Sequence, residues 1–416
     1  VALLRAVDCG EVGTIAMYSQ KIIEAQQGRL EKRLGFKLIR YPLDKVEAWV
    51  AHLDKAQAQK RDLTPEEDRF ILNETLLSTI DYLYHAERYH IIEQDAMEGG
   101  GLARFKPWES QKIILRKLAE WQEEDYDRLA RKEIAIGVLI AIHKARQLGA
   151  TAIGRSLLMH RLTTAKNVRG ISASVDEDKK MELYTRDKTI LDNLPWWLKP
   201  SAKYDEKGEH IHFEGLGSKI LYQTGSQKSG VGQGRQFDIS HLTECASWPY
   251  PLTIENDFYP TIPQAATTLC ILESTAQGRG NWWHDFTERI RIKGSARWRY
   301  LFIPWYAEER KYRRTPPSGW KPSDLSILHA KKVHETSPTY VGKAVMLKPN
   351  QLYWWESERG DAVKRGTLNI FLTNFAATPE ESFQHTTVSA FAPEVLEKLR
   401  LQTAMGKPYD VRLGGL

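Results

Sequence analysis

Cysteine is scarce in this chain of 416 residues, and Cys9, Cys245 and Cys270 are scattered without a Cys-x-x-Cys spacing. That distribution offers neither a disulfide framework nor a zinc site and fits a reducing cytosol, so packing must hold the fold. Long apolar runs are also missing. The longest, Ile134 to Ile142, falls far short of the ~18 residues that span a bilayer and suits a strand buried on both faces. No internal repeat and no low-complexity tract is present, which sets aside solenoids and disordered linkers. The first residues lack a basic segment leading into an apolar stretch and a small-residue cleavage site, so export is not expected. Charge of one sign is not in large excess: 59 Lys and Arg against 53 Asp and Glu give +6. Such a balance permits a nucleic-acid partner without demonstrating one.

What remains is an ordinary folded composition, 42% hydrophobic and 27% charged, in a chain long enough for more than one domain. Residues 1–100 carry helix-compatible spacing, as in DKVEAWVAHLDKAQAQK and TPEEDRFILNETLLSTIDYLYHAERY, where Thr64 can cap and Glu66 and Glu67 favour the first turn. Gly99, Gly100 and Gly101 form the clearest hinge. Beyond it strands and helices alternate. Strands are expected at Ile134 to Ile142, Val168 to Ala173, Ile211 to Glu214, Lys219 to Thr224, Phe237 to Leu242, Thr268 to Glu273 and Trp298 to Pro304. Helices are expected at Thr151 to Leu162 and Glu177 to Leu191. This alternation implies an α/β fold with a mainly parallel sheet, whose ligands bind beyond the carboxyl ends of the strands. After Pro304 come a basic, proline-bearing stretch (EERKYRRTPPSGWKPS), a helical segment (LKPNQLYWWESERGDAVKRG), TPEESFQ and a short helix at Pro393 to Thr403.

Chemistry concentrates at three strand ends. The first is the loop from Lys144 to Thr151, which has the frame of a phosphate loop with its cation displaced. Such loops curl backbone N–H groups around phosphate oxygens while a lysine neutralises them and a hydroxyl holds magnesium. Gly149 and Thr151 keep their places, Ala150 stands where the lysine belongs, and Lys144 stands where the first glycine belongs, with Arg146 two positions on. Long cationic side chains from the start of a wrapped loop can reach the same oxygens. The second is FDISHLTECASW, a strand delivering Glu244 just past its end. Nucleotide hydrolases place an acidic pair there, one carboxylate assisting the metal and one orienting water; Thr243 occupies the first place, and its hydroxyl supports a metal-bound water only weakly. The third is LCILESTAQGRGNWWHDF, where Ser274 and Thr275 can sense a γ-phosphate and Asn281 stands near a helix start.

KARQLGAT, HLTECASW, ESTAQGRGNWWHDF, FIPWY and TPEESFQ, in that order, resemble the large terminase subunit of tailed bacteriophages, the motor that packages DNA into a preformed capsid. The resemblance extends from Phe105 to Gln384. It implies a phosphate-loop ATPase core of the additional-strand (ASCE) type with a helical N-terminal segment and a small lid subdomain. The corresponding boundaries are a helical segment at 1–100, an ATPase core at 101–305, a lid and linker at 306–378 and a connector at 379–416 toward a nuclease domain. Position by position, the resemblance makes Lys144 and Arg146 the phosphate-binding cations within a nucleotide-binding loop that includes Gln147, Gly149, Ala150 and Thr151. Thr151 is then the magnesium ligand, Glu244 the catalytic carboxylate, and Thr275 the coupling residue. Trp108 and Gln111, in FKPWESQ, resemble an adenine-reading element, an aromatic face and an amide. Arg235, in GVGQGRQFD, matches an arginine offered to a neighbouring subunit's ATP.

The expected cofactors are therefore ATP and Mg2+. Expected partners are double-stranded DNA, the portal protein of the procapsid, the small terminase subunit and further copies in a ring, with no membrane, in the host bacterial cytoplasm. Ala150 and Thr243 depart from the usual charged pattern, so slow hydrolysis before assembly is expected. The nuclease carboxylate cluster is not visible before Leu416, and DNA cleavage is not assigned. Arg310, Lys311, Arg313 and Arg314 are candidate DNA contacts, although a solvated charge run explains them more simply. Two other readings stay open on the residues alone: another DNA-dependent ATPase such as a helicase or remodelling motor, and a non-enzymatic DNA or capsid adaptor with a degenerate nucleotide fold.

Overall fold

The computed structural model describes residues 18–94, 99–226 and 230–383. The chain divides into two compact units that interleave along the sequence. The first comprises Val1–Ala141, Gly149–Glu273 and Ser295–Arg299, and the second Ile142–Leu148, Ser274–Gly294 and Tyr300–Leu416.

The first unit begins with helices α1 (Gln20–Leu34), α2 (Leu43–Ala58), α3 (Pro65–Ile80) and α4 (Tyr82–Tyr89). Local chemistry sets their starts. Thr64 and Glu67 form a reciprocal capping box before α3, and the Asp81 carboxylate accepts from Tyr84 N–H at 2.9 Å before α4. Leu30, Leu38, Leu72, Leu76, Leu77, Ile80 and Tyr84 build a shared core among these helices. Strands β1 (Ile91–Glu93) and β2 (Leu102–Arg104) then pair antiparallel. Gly99, Gly100 and Gly101 all have positive φ and help to close this hairpin, which the sequence does not announce.

Helix α5 (Glu109–Ala130) leads to β3 (Val138–Lys144), α6 (Ala150–Thr164), β4 (Arg169–Ser174), α7 (Glu177–Asp192), β5 (Ala202–Tyr204), β6 (His210–Phe213), β7 (Ser218–Thr224), β8 (Ile239–Thr243) and β9 (Leu269–Ser274). With β10 (Trp298–Ile303) they form a sheet in the order β10-β3-β9-β8-β4-β7-β6-β5. Strands β9, β8, β4 and β7 run parallel, while β6 and β5 add an antiparallel edge. The fold is thus mixed α/β on a mainly parallel sheet, with one strand, β9, between loop-bearing β3 and Glu244-bearing β8.

Strand β3 starts later than the expected Ile134. The N–H groups of Ile136 and Gly137 donate to the Asp125 carboxylate on α5 at 2.9 and 2.7 Å, and Gly137 has φ of 78°. A β-carbon there would lie 2.7 Å from that of Thr268. The residues ahead of Val138 are therefore tied to a helix rather than to the ladder. Cys245 and Cys270 are buried free thiols, and Cys9 lies outside the described residues.

The second unit holds α8 (Trp282–Glu288), α9 (Asp324–Val341), α10 (Pro349–Lys364), α11 (Leu368–Asn374) and α12 (Pro379–Ser382). Asn281 caps α8, its side chain accepting from His284 N–H at 3.0 Å. An aromatic core organises this unit: Trp305, Tyr312, Trp354 and Phe375 contact one another, and His329 stacks on Trp355 at 3.9 Å. Tyr312 comes from the basic stretch that reads as a connector, yet it is buried. The neighbouring Arg310, itself exposed, pairs with buried Glu308 at 3.0 Å, and Arg314 pairs with Glu358 at 2.6 Å. The expected helix at Pro393 to Thr403 lies outside the described residues. Among the described residues no helix is long and apolar enough to cross a membrane.

Candidate functional site

In the first unit, α6 begins directly after Gly149, whose φ of 71° is the left-handed conformation that glycine adopts without strain. Two constraints meet at this residue. Its carbonyl accepts from Gln111 Nε2 at 2.9 Å, and a β-carbon would lie 2.5 Å from that nitrogen and 3.4 Å from Trp108 Cε3. Gln111 Oε1 in turn accepts from Trp108 N–H at 2.8 Å. Gln111 is thus a buried strut between the start of α5 and the loop, and half-buried Trp108 stands beside it. The structure brings Trp108, Gln111 and Gly149 together.

Buried Ala150 opens the helix, and the hydroxyl of Thr151 donates to Glu273 Oε1 at 2.6 Å. Sequence reasoning passes over Glu273, which is only 1% exposed at the end of β9. The same oxygen meets His241 Nε2 at 3.2 Å, and His241 Nδ1 lies 3.4 Å from Arg155 Nη1. Arginine can only donate and carboxylate can only accept, so the imidazole is neutral with its proton on Nε2. Burial pushes its pKa below the ordinary value, against the opposing pull of Glu273. Arg155 continues the chain of contacts, donating to Ser172 Oγ at 2.6 Å and gripping Asp187 with two bonds, one of them from Nε at 2.8 Å. Tyr222 adds a bond to Asp187 at 2.5 Å.

The sheet register explains this polar file. Ser172 pairs with both Tyr222 and His241, and Thr243 pairs with Glu273, so these side chains line the face that α6 covers. Thr243 is buried and donates to Ser174 Oγ at 2.9 Å. Glu244 follows it, exposed, with φ of 55° and ψ of 35°. A left-handed glutamate is uncommon, and such strain clusters where a side chain is aimed for function. Arg235 is exposed in the segment before β8. None of the contacts described joins it to the residues above.

The second unit contains the other part of the loop. Ala145 N–H donates to Ile303 O at 2.9 Å, Arg146 N–H donates to Asn374 O at 2.8 Å, and the Tyr312 hydroxyl donates to Arg146 O. The backbone at Ala145 and Arg146 is therefore fixed by residues far along the chain, while the Arg146 side chain remains exposed. Lys144 is half-buried, and exposed Gln147 has φ of 55°. His143 is buried between the Tyr300 hydroxyl at 3.0 Å and Ser382 Oγ at 2.9 Å, and burial lowers its pKa to about 3. Thr275 is half-buried in this unit, and Ser274 is buried.

Thr151 and Glu273 offer hard oxygen donors of the kind that Mg2+ prefers. Among the described residues no group of three or more His, Cys, Asp or Glu side chains is placed to hold a metal ion.

No known family profile and no curated protein sequence matches the chain. Solved structures similar to it include phage large terminases and their ATPase domains. The HK97 bacteriophage large terminase has a TM-score of 0.45 and 14% identity over 76% of this chain and 57% of that one. The ATPase domain of the Thermus phage P74-26 large terminase has a TM-score of 0.33 and 14% identity, over 40% of this chain and 76% of that one. A thermophilic bacteriophage large terminase in complex with ADP has a TM-score of 0.33 and 14% identity, over 44% of this chain and 45% of that one. The chain thus spans about half the length of the longer terminases to which it is similar.

Proposed function

We propose that this chain is an ATP-hydrolysing motor subunit that moves double-stranded DNA into a viral procapsid. One observation carries the reading: the Gly149-Ala150-Thr151 turn opens α6 just behind a buried strand, and the Thr151 hydroxyl is bound to a buried carboxylate. A strand, a tight glycine turn and a hydroxyl at a helix start are the parts with which phosphate-loop proteins hold a nucleotide. The five motifs in register supply the more specific function.

In this reading Lys144 and Arg146 neutralise the phosphates and Gln147, Gly149 and Ala150 shape the loop around them. Thr151 would hold the metal through its hydroxyl. Mg2+, when bound with ATP, supplies positive charge against the charge that develops on the transferred phosphoryl group. Glu244 orients the attacking water, and Thr275 passes the state of the γ-phosphate to the rest of the chain. Trp108 meets the base and Gln111 reads it with whatever amide capacity its two backbone bonds leave. Arg235 serves the ATP of a neighbouring copy in a ring, a contribution worth about 10³- to 10⁵-fold in rate where such fingers operate. DNA is held through its phosphates without regard to sequence, and the portal protein and small terminase subunit are the assembly partners.

The test is DNA-stimulated phosphate release by an assembled sample. The wild-type chain should hydrolyse ATP with a strong salt dependence of DNA stimulation, and Glu244→Ala should abolish turnover. Unchanged turnover in Glu244→Ala would remove the catalytic assignment. Robust unwinding of a forked duplex would favour a helicase instead.

A further inference from the structure

We infer that Glu273 supplies the metal-assisting carboxylate that position 243 lacks, so that this site holds its Mg2+ from β9 rather than from β8. The inference rests on the proposed nucleotide-binding reading and deepens it.

A magnesium nucleotide held by a threonine hydroxyl normally also requires a carboxylate to accept from a water in the ion's coordination shell, because Mg2+ retains several waters and protein groups must orient them. Thr243 cannot serve in that way. Its hydroxyl is neutral, buried, and already committed to Ser174. Parallel register places Glu273 directly opposite Thr243, one strand spacing of about 4.8 Å away on the same face. The carboxylate is therefore moved sideways at the same height on the sheet.

Two contacts show that this carboxylate is held in place. Thr151 donates to Glu273 Oε1 at 2.6 Å, which puts the acid against the hydroxyl assigned to the metal. His241, neutral and backed by Arg155, approaches the same oxygen at 3.2 Å and restricts rotation of the side chain. A carboxylate that is 1% exposed is costly unless it is hydrogen-bonded or paired with a cation. A divalent ion near Thr151 would offset that cost. Glu273 is thus a positioning residue for the metal, and Glu244 keeps the separate task of orienting water.

The experiment reads binding rather than turnover. Affinity for a fluorescent ATP analogue is titrated with Mg2+ and with EDTA, in the full chain and in Glu273→Gln, with thermal melting as a check on folding. In the wild type Mg2+ should strengthen binding. In Glu273→Gln that enhancement should fall by about 10- to 100-fold, the usual effect of losing a residue that orients a metal ligand, while metal-free affinity stays as it was. The double variant Thr243→Asp with Glu273→Gln should regain much of the enhancement, since it returns a carboxylate to the neighbouring strand. A Glu273→Gln protein with unchanged Mg2+ enhancement would overturn the inference and leave the nucleotide reading standing. A wild-type chain that binds no nucleotide in either condition would sink both. Should Glu273→Gln not fold, Glu273→Asp decides: a several-fold smaller enhancement supports the assignment, and an unaltered one refutes it.

Discussion

Gly154 and His241 are packed so closely that a β-carbon on Gly154 would lie 2.5 Å from the imidazole Cε1. Glycine inside a 15-residue helix costs about 1 kcal/mol relative to alanine in the absence of tertiary contacts, so its presence here trades helix propensity for a seat for the histidine. Gly154→Ala should therefore destabilise the chain, overpacking of about 1–3 kcal/mol outweighing the propensity gain. Urea denaturation checks the sign. An increase in stability would mean that the ring is free to move away.

The Arg155–Asp187 pair is almost fully buried, with exposures of 1% and 0%. Removing one partner of such a pair leaves the other charge without compensation. Asp187→Asn should lower unfolding free energy by about 3–5 kcal/mol, a far larger loss than is expected from cutting the surface pair Lys117–Glu120, at about 0–1 kcal/mol. Equal losses in the two variants would contradict the importance assigned to the buried file.

Three histidines set an acid limit on stability. His85 lies 4.8 Å from His90 and 4.9 Å from His160, ring centre to ring centre, and all three are buried. Burial lowers the pKa of His90 to about 3 and of His160 to about 4, and it pushes His85 well below its ordinary value. Because the unfolded chain binds these protons near pH 6.5 and the folded chain does not, their contribution is present above pH 6.5 and is lost as pH falls toward 4. Each histidine adds a slope approaching about 1.4 kcal/mol per pH unit inside that window. His85→Leu should flatten the pH dependence of urea midpoints between pH 6 and about 4, and an unchanged slope would count against the cluster as its origin.

Glu244 is held in a left-handed conformation. That costs a non-glycine residue about 1–2 kcal/mol, while glycine gives back about 0.5–1 kcal/mol in unfolded-state entropy. Glu244→Gly should thus be modestly more stable than the wild type yet inactive in ATP hydrolysis. Loss of stability in this variant would show that the glutamate is structural.

Much of the fold is legible in the sequence because its signals are local. Thr64 and Asn281 announce helix starts through bonds only three residues long, and period-2 and apolar runs locate most strands to within a residue or two. The displaced phosphate-loop frame is equally local. What escapes notice depends on distant partners. Asp125 draws Ile136 and Gly137 away from the strand, and α9 carries Pro338 inside it, which masks the helix from a propensity reading. Glu273 is inconspicuous in the sequence because only the register of β8 against β9 sets it opposite Thr243. Tyr312 looks like part of a solvated basic stretch until its hydroxyl is seen to bind the carbonyl of Arg146.

In the proposed function the loop from Lys144 to Thr151 grips a nucleoside triphosphate with cations placed at its beginning. Calorimetric titration with Mg·ATP tests it directly, comparing the wild-type chain with the double variant Lys144→Ala, Arg146→Ala. Hydrogen bonds to charged groups are worth about 1.5–3 kcal/mol each, so affinity should fall by about 10²- to 10⁴-fold with folding intact. Equal heats and affinities in the two proteins, or no binding by the wild type, would contradict the account.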